Sequence, residues 1–238
     1  MPDRLVIMCS TDFLWGAEVP EIASFLLRSG CEGLVISTEP PHYLPSLMHR
    51  SVLSALKDSL RNVDVPVAVR SPEVDTNVFS PNPHIANASI KSIEEAVKLA
   101  YLIDADFLVV RPSNKPIGDN PKIAARKLQS LMSKVTRHQY MAFELIGKRS
   151  ELVVDELIDN RAGIIYVHGQ SPEALLTHRK TVGVSLYVSE ENYPRRVIPG
   201  MRGEIPYLLI NPERRHLFRS DDFRRMLLRI KSWRNNFI

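Results

Sequence analysis

Short apolar runs alternate with amphipathic segments along the whole chain. Residues 65–69 and 107–110 are two such runs, and each ends on an arginine followed closely by a proline. The segment between them is first a polar loop and then, over 89–103, a pattern of apolar residues at helical spacing. This order of strand, loop, helix and strand predicts parallel strands joined by crossover helices. Arg70 and Arg111 then stand at the carboxyl ends of their strands.

The same unit recurs until eight strands are predicted. They cover 5–9, 34–36, 65–69, 107–110, 140–143, 163–167, 183–188 and 206–210. Between residues 190 and 205 the alternation of strands and helices stops, because this stretch holds two prolines, two glycines and three arginines without a helical pattern. Eight such units predict an α/β fold, a single (β/α)8 TIM barrel over residues 1–238 with its seventh helix reduced or missing. An open doubly wound sheet is disfavoured, because no Gly-rich loop follows the first strand.

Boundary residues predict where several helices begin. Asn120 before Pro121 is a strong start signal, an N-cap followed by proline at the first helical position. Ser92 and Glu95 form a capping-box pattern at the start of the helix predicted over 89–103, and residues 80–83 are predicted as a turn. The pair at 171–172 predicts a further helix.

Composition limits the cellular compartments that we expect for the protein. No run approaches the roughly 18 consecutive apolar residues of a membrane helix, and the first residues lack a signal-peptide pattern. Cys9 and Cys31 lie in or beside apolar segments, far from metal-ligand spacing, which predicts two buried free thiols in a reducing compartment. We therefore expect a cytoplasmic protein without membrane contact.

Positive charge is concentrated near the end of the chain. The 238 residues carry a net charge of +4, and residues 214–234 hold seven arginines and one lysine. Such a run is compatible with a nucleic-acid footprint. However, five apolar residues recur through it at helical spacing: Phe223, Met226, Leu227, Ile230 and Phe237. This pattern favours an amphipathic closing helix with a solvated basic face.

Four segments resemble the xylose isomerase-like barrel superfamily. Residues 69–83 are similar to its third strand and the following loop, and Val109-Val110-Arg111-Pro112 to its fourth strand. Phe143-Glu144 matches its fifth-strand glutamate, and residues 199–205 resemble its Gly-x-Gly-Glu-Ile loop. The superfamily contains sugar and sugar-phosphate isomerases and epimerases, and endonuclease IV-type nucleases. The resemblance implies a divalent metal held by histidines and carboxylates at the strand ends.

The chain departs from that pattern at the implied metal ligands. Arg70 and Arg111 stand where the resemblance implies histidines, and a guanidinium has no lone pair to donate to a metal. A divalent cation beside such a fixed charge is strongly repelled, by roughly 3 kcal/mol per pair of unit charges at about 5 Å and an effective dielectric of about 20. Glu144 is kept, His168 lies near the sixth-strand ligand region and Asn211 near the eighth-strand glutamate. We therefore predict no metal and no cofactor.

Two guanidiniums at one rim favour an anionic ligand. If the side chains at 70 and 111 point inward, they can bind phosphate or carboxylate, with Asn211 as a further contact. Glu144 or His168 is then the candidate general base. In the alternative interpretation, Arg111 forms an internal ion pair with Glu144, and Arg70 pairs with residue 73 or 75.

Two function classes remain open from the sequence. The first is a divergent sugar-phosphate isomerase or epimerase without the metal site, or a catalytically degenerate relative that binds a phosphorylated sugar or another small anion. The second is an endonuclease IV-like, nucleic-acid-binding protein. The excess of basic charge favours the second class, whereas the missing metal ligands count against its hydrolytic chemistry. We favour the small-molecule class.

Overall fold

The eight strands close into a parallel barrel in chain order, and the last strand pairs back on the first. The computed structural model describes residues 5–14, 17–39, 49–61, 63–113, 120–135, 140–157, 161–188, 205–213 and 220–235. The predicted α/β class and the (β/α)8 barrel are confirmed.

The strands agree with the predicted positions to within a few residues. They are β1 (Val6–Ser10), β2 (Gly33–Ser37), β3 (Val67–Arg70), β4 (Phe107–Val110), β5 (Tyr140–Glu144), β6 (Ala162–Val167), β7 (Thr181–Val188) and β8 (Tyr207–Pro212). The α-helices in the described residues are α1 (Val19–Arg28), α2 (Arg50–Arg61), α3 (Pro83–Leu102), α4 (Pro121–Val135), α5 (Ser150–Glu156) and α6 (Ser220–Asn235).

Alternation along the strands divides the apolar residues into two cores. Outward residues pack against the helices, whereas a smaller cluster fills the barrel interior. The interior cluster consists of Val6, Met8, Val35, Ala68, Phe107, Val109, Ala142, Ile165 and Leu209. This apolar filling occupies the middle and the amino end of the barrel. The polar residues that follow it in sequence therefore form the top layer of the interior.

Helix α3 begins earlier than the pattern predicts. Asn82 is its N-cap, the Asn82 side chain accepts a hydrogen bond from the backbone N–H of His84 at 3.0 Å, and Pro83 is the first helical residue. The predicted start near residue 89 is therefore wrong, whereas the predicted turn over 80–83 is supported by a bend at residues 81 and 82, where the N–H of Asn82 donates to Oγ of Ser80 at 3.2 Å. Ser92 is no cap, because its hydroxyl donates to the carbonyl of Ala88 within the helix. By contrast, the predicted start of α4 is confirmed, and Asn120 accepts a hydrogen bond from the N–H of Ile123 at 3.1 Å.

The link between β6 and β7 is short. The predicted helix after residue 172 is only a 3₁₀ turn, Glu173–Thr177. The stretch in which a helix is predicted to be missing lies almost entirely in 189–204, outside the described residues. In α6 the predicted apolar face is confirmed, since Phe223, Met226, Leu227 and Ile230 are buried; Phe237 lies outside the described residues. No described helix is long and apolar enough to cross a bilayer.

The two cysteines form a disulfide bond. Cys9, on the outer face of β1, is bonded to Cys31, in the turn before β2, and their Cα atoms are 6.1 Å apart. The prediction of two free thiols is therefore wrong. The sequence placed both residues in apolar surroundings but could not show that adjacent parallel strands bring them together.

Candidate functional site

Three neighbouring strands carry charged side chains at their carboxyl ends. Arg70 is the last residue of β3, Arg111 directly follows β4 and Glu144 is the last residue of β5. Each comes two residues after a member of the interior apolar cluster, so the two-residue period of a strand directs all three inward. Their exposed fractions are only 2%, 6% and 0%, respectively. Three charges are thus buried at one level of the barrel.

Glu144 lies between the two guanidiniums. Its Oε1 accepts a hydrogen bond from Nη2 of Arg70, and its Oε2 accepts one from Nε of Arg111 at 3.1 Å. Burial alone would raise the pKa of Glu144, but the charges of Arg70 and then Arg111 outweigh it and lower the pKa. Glu144 is consequently ionised, and both of its oxygens are engaged by cations.

Arg70 is held from several strands at once. Its Nη1 donates to Oδ1 of Asn211 on β8, and Nδ2 of Asn211 in turn donates to Oγ of Ser185 on β7 at 2.8 Å. Burial by itself lowers the pKa of Arg70, whereas the Glu144 carboxylate raises it and prevails, so the pKa lies above its ordinary value. The Arg70 cation is therefore permanent and its orientation is fixed.

Tyr187 of β7 lies beside both guanidiniums. Its ring centroid is 4.8 Å from Cζ of Arg111 and 5.6 Å from Cζ of Arg70, within cation–π range. Burial raises the pKa of Tyr187 well above its ordinary value, although the charge of Arg70 opposes this shift. The phenol therefore stays protonated, and it donates a hydrogen bond to Oε2 of Glu73 at 3.0 Å.

Glu73 reaches this group from the loop after β3. Its Oε2 is 3.5 Å from Nη1 of Arg111, and its side chain is 23% exposed. The backbone of the loop is fixed separately, since the N–H groups of Glu73 and Val74 donate to the carboxylate of Glu39 at 2.8 and 3.0 Å. We call Arg70, Glu73, Arg111, Glu144, Ser185, Tyr187 and Asn211 the arginine cluster.

The structure brings together four of the five predicted site residues. Arg70, Arg111, Glu144 and Asn211 belong to the arginine cluster, and the predicted pair of Arg111 with Glu144 is confirmed, with Nη2 and Oε2 3.0 Å apart. The predicted partners of Arg70 were wrong. Arg70 pairs with Glu144, whereas Glu73 pairs with Arg111 and residue 75 is exposed.

His168 is not part of the cluster. Its side chain is exposed, and its ring is 6.5 Å from that of Tyr166, which belongs to the outer core between the barrel and the helices. Sequence reasoning did not predict the contributions of Ser185 and of the Tyr187 hydroxyl. The strand period could have indicated both, because Gly183, Ser185 and Tyr187 alternate on one face of β7 and Tyr187 pairs in register with Asn211. The segment 199–204, which carries part of the family resemblance, lies outside the described residues.

The residues of the cluster do not fit a divalent metal. Both oxygens of Glu144 already accept from guanidiniums, and those guanidiniums add fixed positive charge. Within the described ranges, no group of three or more His, Cys, Asp or Glu side chains is arranged to hold a metal ion.

Comparison with solved structures identifies the fold. Over 98% of this chain and 99% of theirs, it matches D-psicose 3-epimerase with D-tagatose from Clostridium cellulolyticum H10 (TM-score 0.69, 13% identity) and the IolI protein with a bound zinc atom (TM-score 0.76, 12% identity). An L-ribulose 3-epimerase matches with a TM-score of 0.73 and 10% identity over 98% of this chain and 95% of that one.

The chain has the xylose isomerase-like barrel fold. The resemblance predicted from its sequence is thus confirmed at the level of fold. No protein-family model matches the sequence, and no curated protein matches it either. The matched structures include a D-psicose 3-epimerase and an L-ribulose 3-epimerase, and they give no support to the endonuclease alternative.

Proposed function

We propose that this barrel binds a small anionic ligand at its carboxyl end without a metal. The observation that carries the proposal is the position of Arg111. Its inner edge is fixed on Glu144, whereas its Nη1, among the described residues, makes a long ion pair of 3.5 Å with Glu73, a partly exposed loop residue. A planar guanidinium with one edge fixed can present its other donors to carboxylate or phosphate oxygens.

Unused donors support the same proposal. Nε of Arg70 is buried and has no hydrogen-bond partner among the described residues, whereas Nη2 of Arg111 lies 3.0 Å from Oε2 of Glu144 but makes no hydrogen bond of regular geometry there. Buried donors are nearly always satisfied, because an unmade hydrogen bond costs about 1–3 kcal/mol. An anionic ligand placed against Arg111 would supply acceptor oxygens at this level of the barrel. The ligand classes that we propose are sugar acids and phosphorylated sugars, in keeping with the sugar ligands of structural relatives.

We propose that Glu144 positions the arginines and does not act as a general base. A carboxylate with a lowered pKa and two guanidinium partners is a poor proton acceptor. His168, the other candidate base, lies on the outer side of β6. The proposed activity is therefore ligand binding on a catalytically degenerate barrel.

A titration in the presence of a chelator tests the proposal. Wild-type protein in EDTA is titrated by calorimetry with D-gluconate, D-glucose 6-phosphate and neutral D-fructose. We expect binding of at least one anionic compound and at least tenfold weaker binding by Arg111→Lys, which keeps the charge but loses the planar donors. Arg126→Lys, an exposed site on α4, is the matched control. Absence of anion binding, or unchanged affinity in Arg111→Lys, would overturn the proposal.

A further inference from the structure

We infer that Glu73 occupies the place of a ligand carboxylate in the arginine cluster and is displaced when the ligand binds. The inference rests on the proposed function and narrows it. It assigns the ligand to the class of monocarboxylates, such as sugar acids and hydroxy acids, and it makes Glu73 the residue that sets the affinity.

Glu73 enters the arginine cluster differently from its other charged members. Arg70, Arg111 and Glu144 come from strand ends and are at most 6% exposed, whereas Glu73 comes from a loop and its side chain is 23% exposed. Within the arginine cluster, one oxygen of Glu73, Oε2, lies 3.0 Å from the hydroxyl of Tyr187 and 3.5 Å from Nη1 of Arg111. Rotation of one side chain toward solvent would release both contacts.

The backbone of the loop that carries Glu73 is held by several hydrogen bonds. The N–H groups at 73 and 74 are bound by the Glu39 carboxylate, and the N–H of Ser71 donates to the carbonyl of Val109 at 2.9 Å. Farther along, the Thr76 hydroxyl donates to the carbonyl of Pro72 at 2.8 Å. The loop therefore stays in place when the side chain rotates. A displaced Glu73 remains tethered close to Arg111 and competes with the ligand at a high effective concentration.

The charge balance of the arginine cluster favours one kind of anion. Within the cluster, Arg70 and Arg111 carry two positive charges and Glu73 and Glu144 two negative ones, and the carboxylates of Asp12 and Glu39 lie close by and add further negative charge. A ligand carboxylate in place of the Glu73 carboxylate keeps this balance. A phosphate dianion would bring a second negative charge toward the buried Glu144, and like charges repel strongly where water is excluded. The protonated Tyr187 hydroxyl donates equally well to a carboxylate oxygen of the ligand.

Variants of Glu73 test the inference by calorimetric titration in EDTA. Glu73→Gln removes the competing charge but keeps an oxygen that can accept from Tyr187, and Glu73→Asp keeps the charge on a shorter side chain. We expect Glu73→Gln to bind D-gluconate at least tenfold more tightly than wild type, and Glu73→Asp to show a smaller gain. The matched control is Asp75→Asn, because Asp75 is an exposed acid of the same loop whose left-handed backbone (φ 61°) asparagine tolerates. Its affinity should stay within twofold of wild type.

The outcomes separate this inference from the proposed function. If wild type binds D-gluconate and both Glu73 variants bind it equally or less tightly, the inference is overturned and the proposed function stands. If wild type and Glu73→Gln both prefer D-glucose 6-phosphate, the assignment to monocarboxylates is wrong. If no form binds any anion while thermal melting shows all of them folded, both proposals fall. An equal gain in Asp75→Asn would assign the effect to general loop charge and would also overturn the inference.

Discussion

The two ends of the barrel interior are filled by side chains of opposite character, apolar at one end and charged at the other. At the amino end, aromatic rings fill the space: Phe107 and Tyr207 have ring centroids 4.9 Å apart, and Tyr140 occupies the room left by Gly163, where a Cβ would come within 2.7 Å of the Tyr140 ring. At the carboxyl end, the space is filled by the arginine cluster. Apolar packing stabilises the fold without requiring a specific partner for each group. Buried charges stabilise it only if every partner is present.

This difference predicts that the carboxyl end is the more sensitive to a change that conserves volume. Glu144→Gln leaves two buried guanidiniums without their shared anion, so we expect the free energy of unfolding to fall by about 3–5 kcal/mol. Urea denaturation measures the change. Glu95→Gln, which breaks an exposed ion pair with Lys98, should lower the free energy of unfolding far less than Glu144→Gln does. A small effect of Glu144→Gln would mean that the buried pairs contribute little.

The amino end should respond to volume instead of charge. Gly163→Ala places a methyl group against the Tyr140 ring, and overpacking of this kind costs about 1–3 kcal/mol. Urea denaturation again measures the loss, and ligand binding at the far end should be unchanged. If Gly163→Ala weakened ligand binding as strongly as stability, the two ends would not be independent.

Acid should act on the carboxyl end. The pKa of Glu144 is lowered in the folded state, so the unfolded chain binds more protons as the pH falls. The stabilisation by Glu144 is full above the unfolded pKa of about 4.3 and is lost as the pH falls from there through the lower folded value. We therefore expect the unfolding free energy of wild type to decrease more steeply than that of Glu144→Gln as the pH falls from about 5 to about 3. Gly163→Ala should keep the wild-type slope, and parallel curves for wild type and Glu144→Gln would contradict this assignment.

The smallest expected effect compares one hydroxyl at each end. Tyr187→Phe removes the hydrogen bond to Glu73, which should cost about 0.5–1.5 kcal/mol of stability and free the Glu73 side chain. Tyr207→Phe at the amino end is the control, and it should leave the affinity for D-gluconate unchanged. Thermal melting and calorimetric titration of both variants check this. If Tyr187→Phe and Tyr207→Phe changed the affinity for D-gluconate equally, the Tyr187 hydroxyl would not be part of the anion subsite.

The barrel was predictable because local pattern and global fold agree. Apolar runs mark the buried parallel strands, and parallel strands end at one rim, so Arg70, Arg111, Glu144 and Asn211 had to meet there. The start of α3 was also within reach, because Asn82-Pro83 repeats the signal that correctly predicted α4 at Asn120-Pro121.

Other features depend on geometry that no local pattern carries. Counting in twos along β6 puts His168 on the same side as Ile164 and Tyr166, but only the closed barrel shows that this side faces the helices, whereas Ile165 faces the interior. Glu73 pairs with Arg111 and not with its near neighbour Arg70, because the loop after β3 crosses toward β4, where the N–H of Val78 donates to the carbonyl of Pro112. The disulfide of Cys9 likewise depends on spatial contact alone.

A crystal structure grown with D-gluconate and Zn²⁺ tests most directly the claim that fixed cations have replaced the metal site. We expect a ligand carboxylate on Arg111 and Tyr187, with Glu144 still bound by both guanidiniums. Zinc coordinated by Glu144, with either arginine turned away, would contradict it.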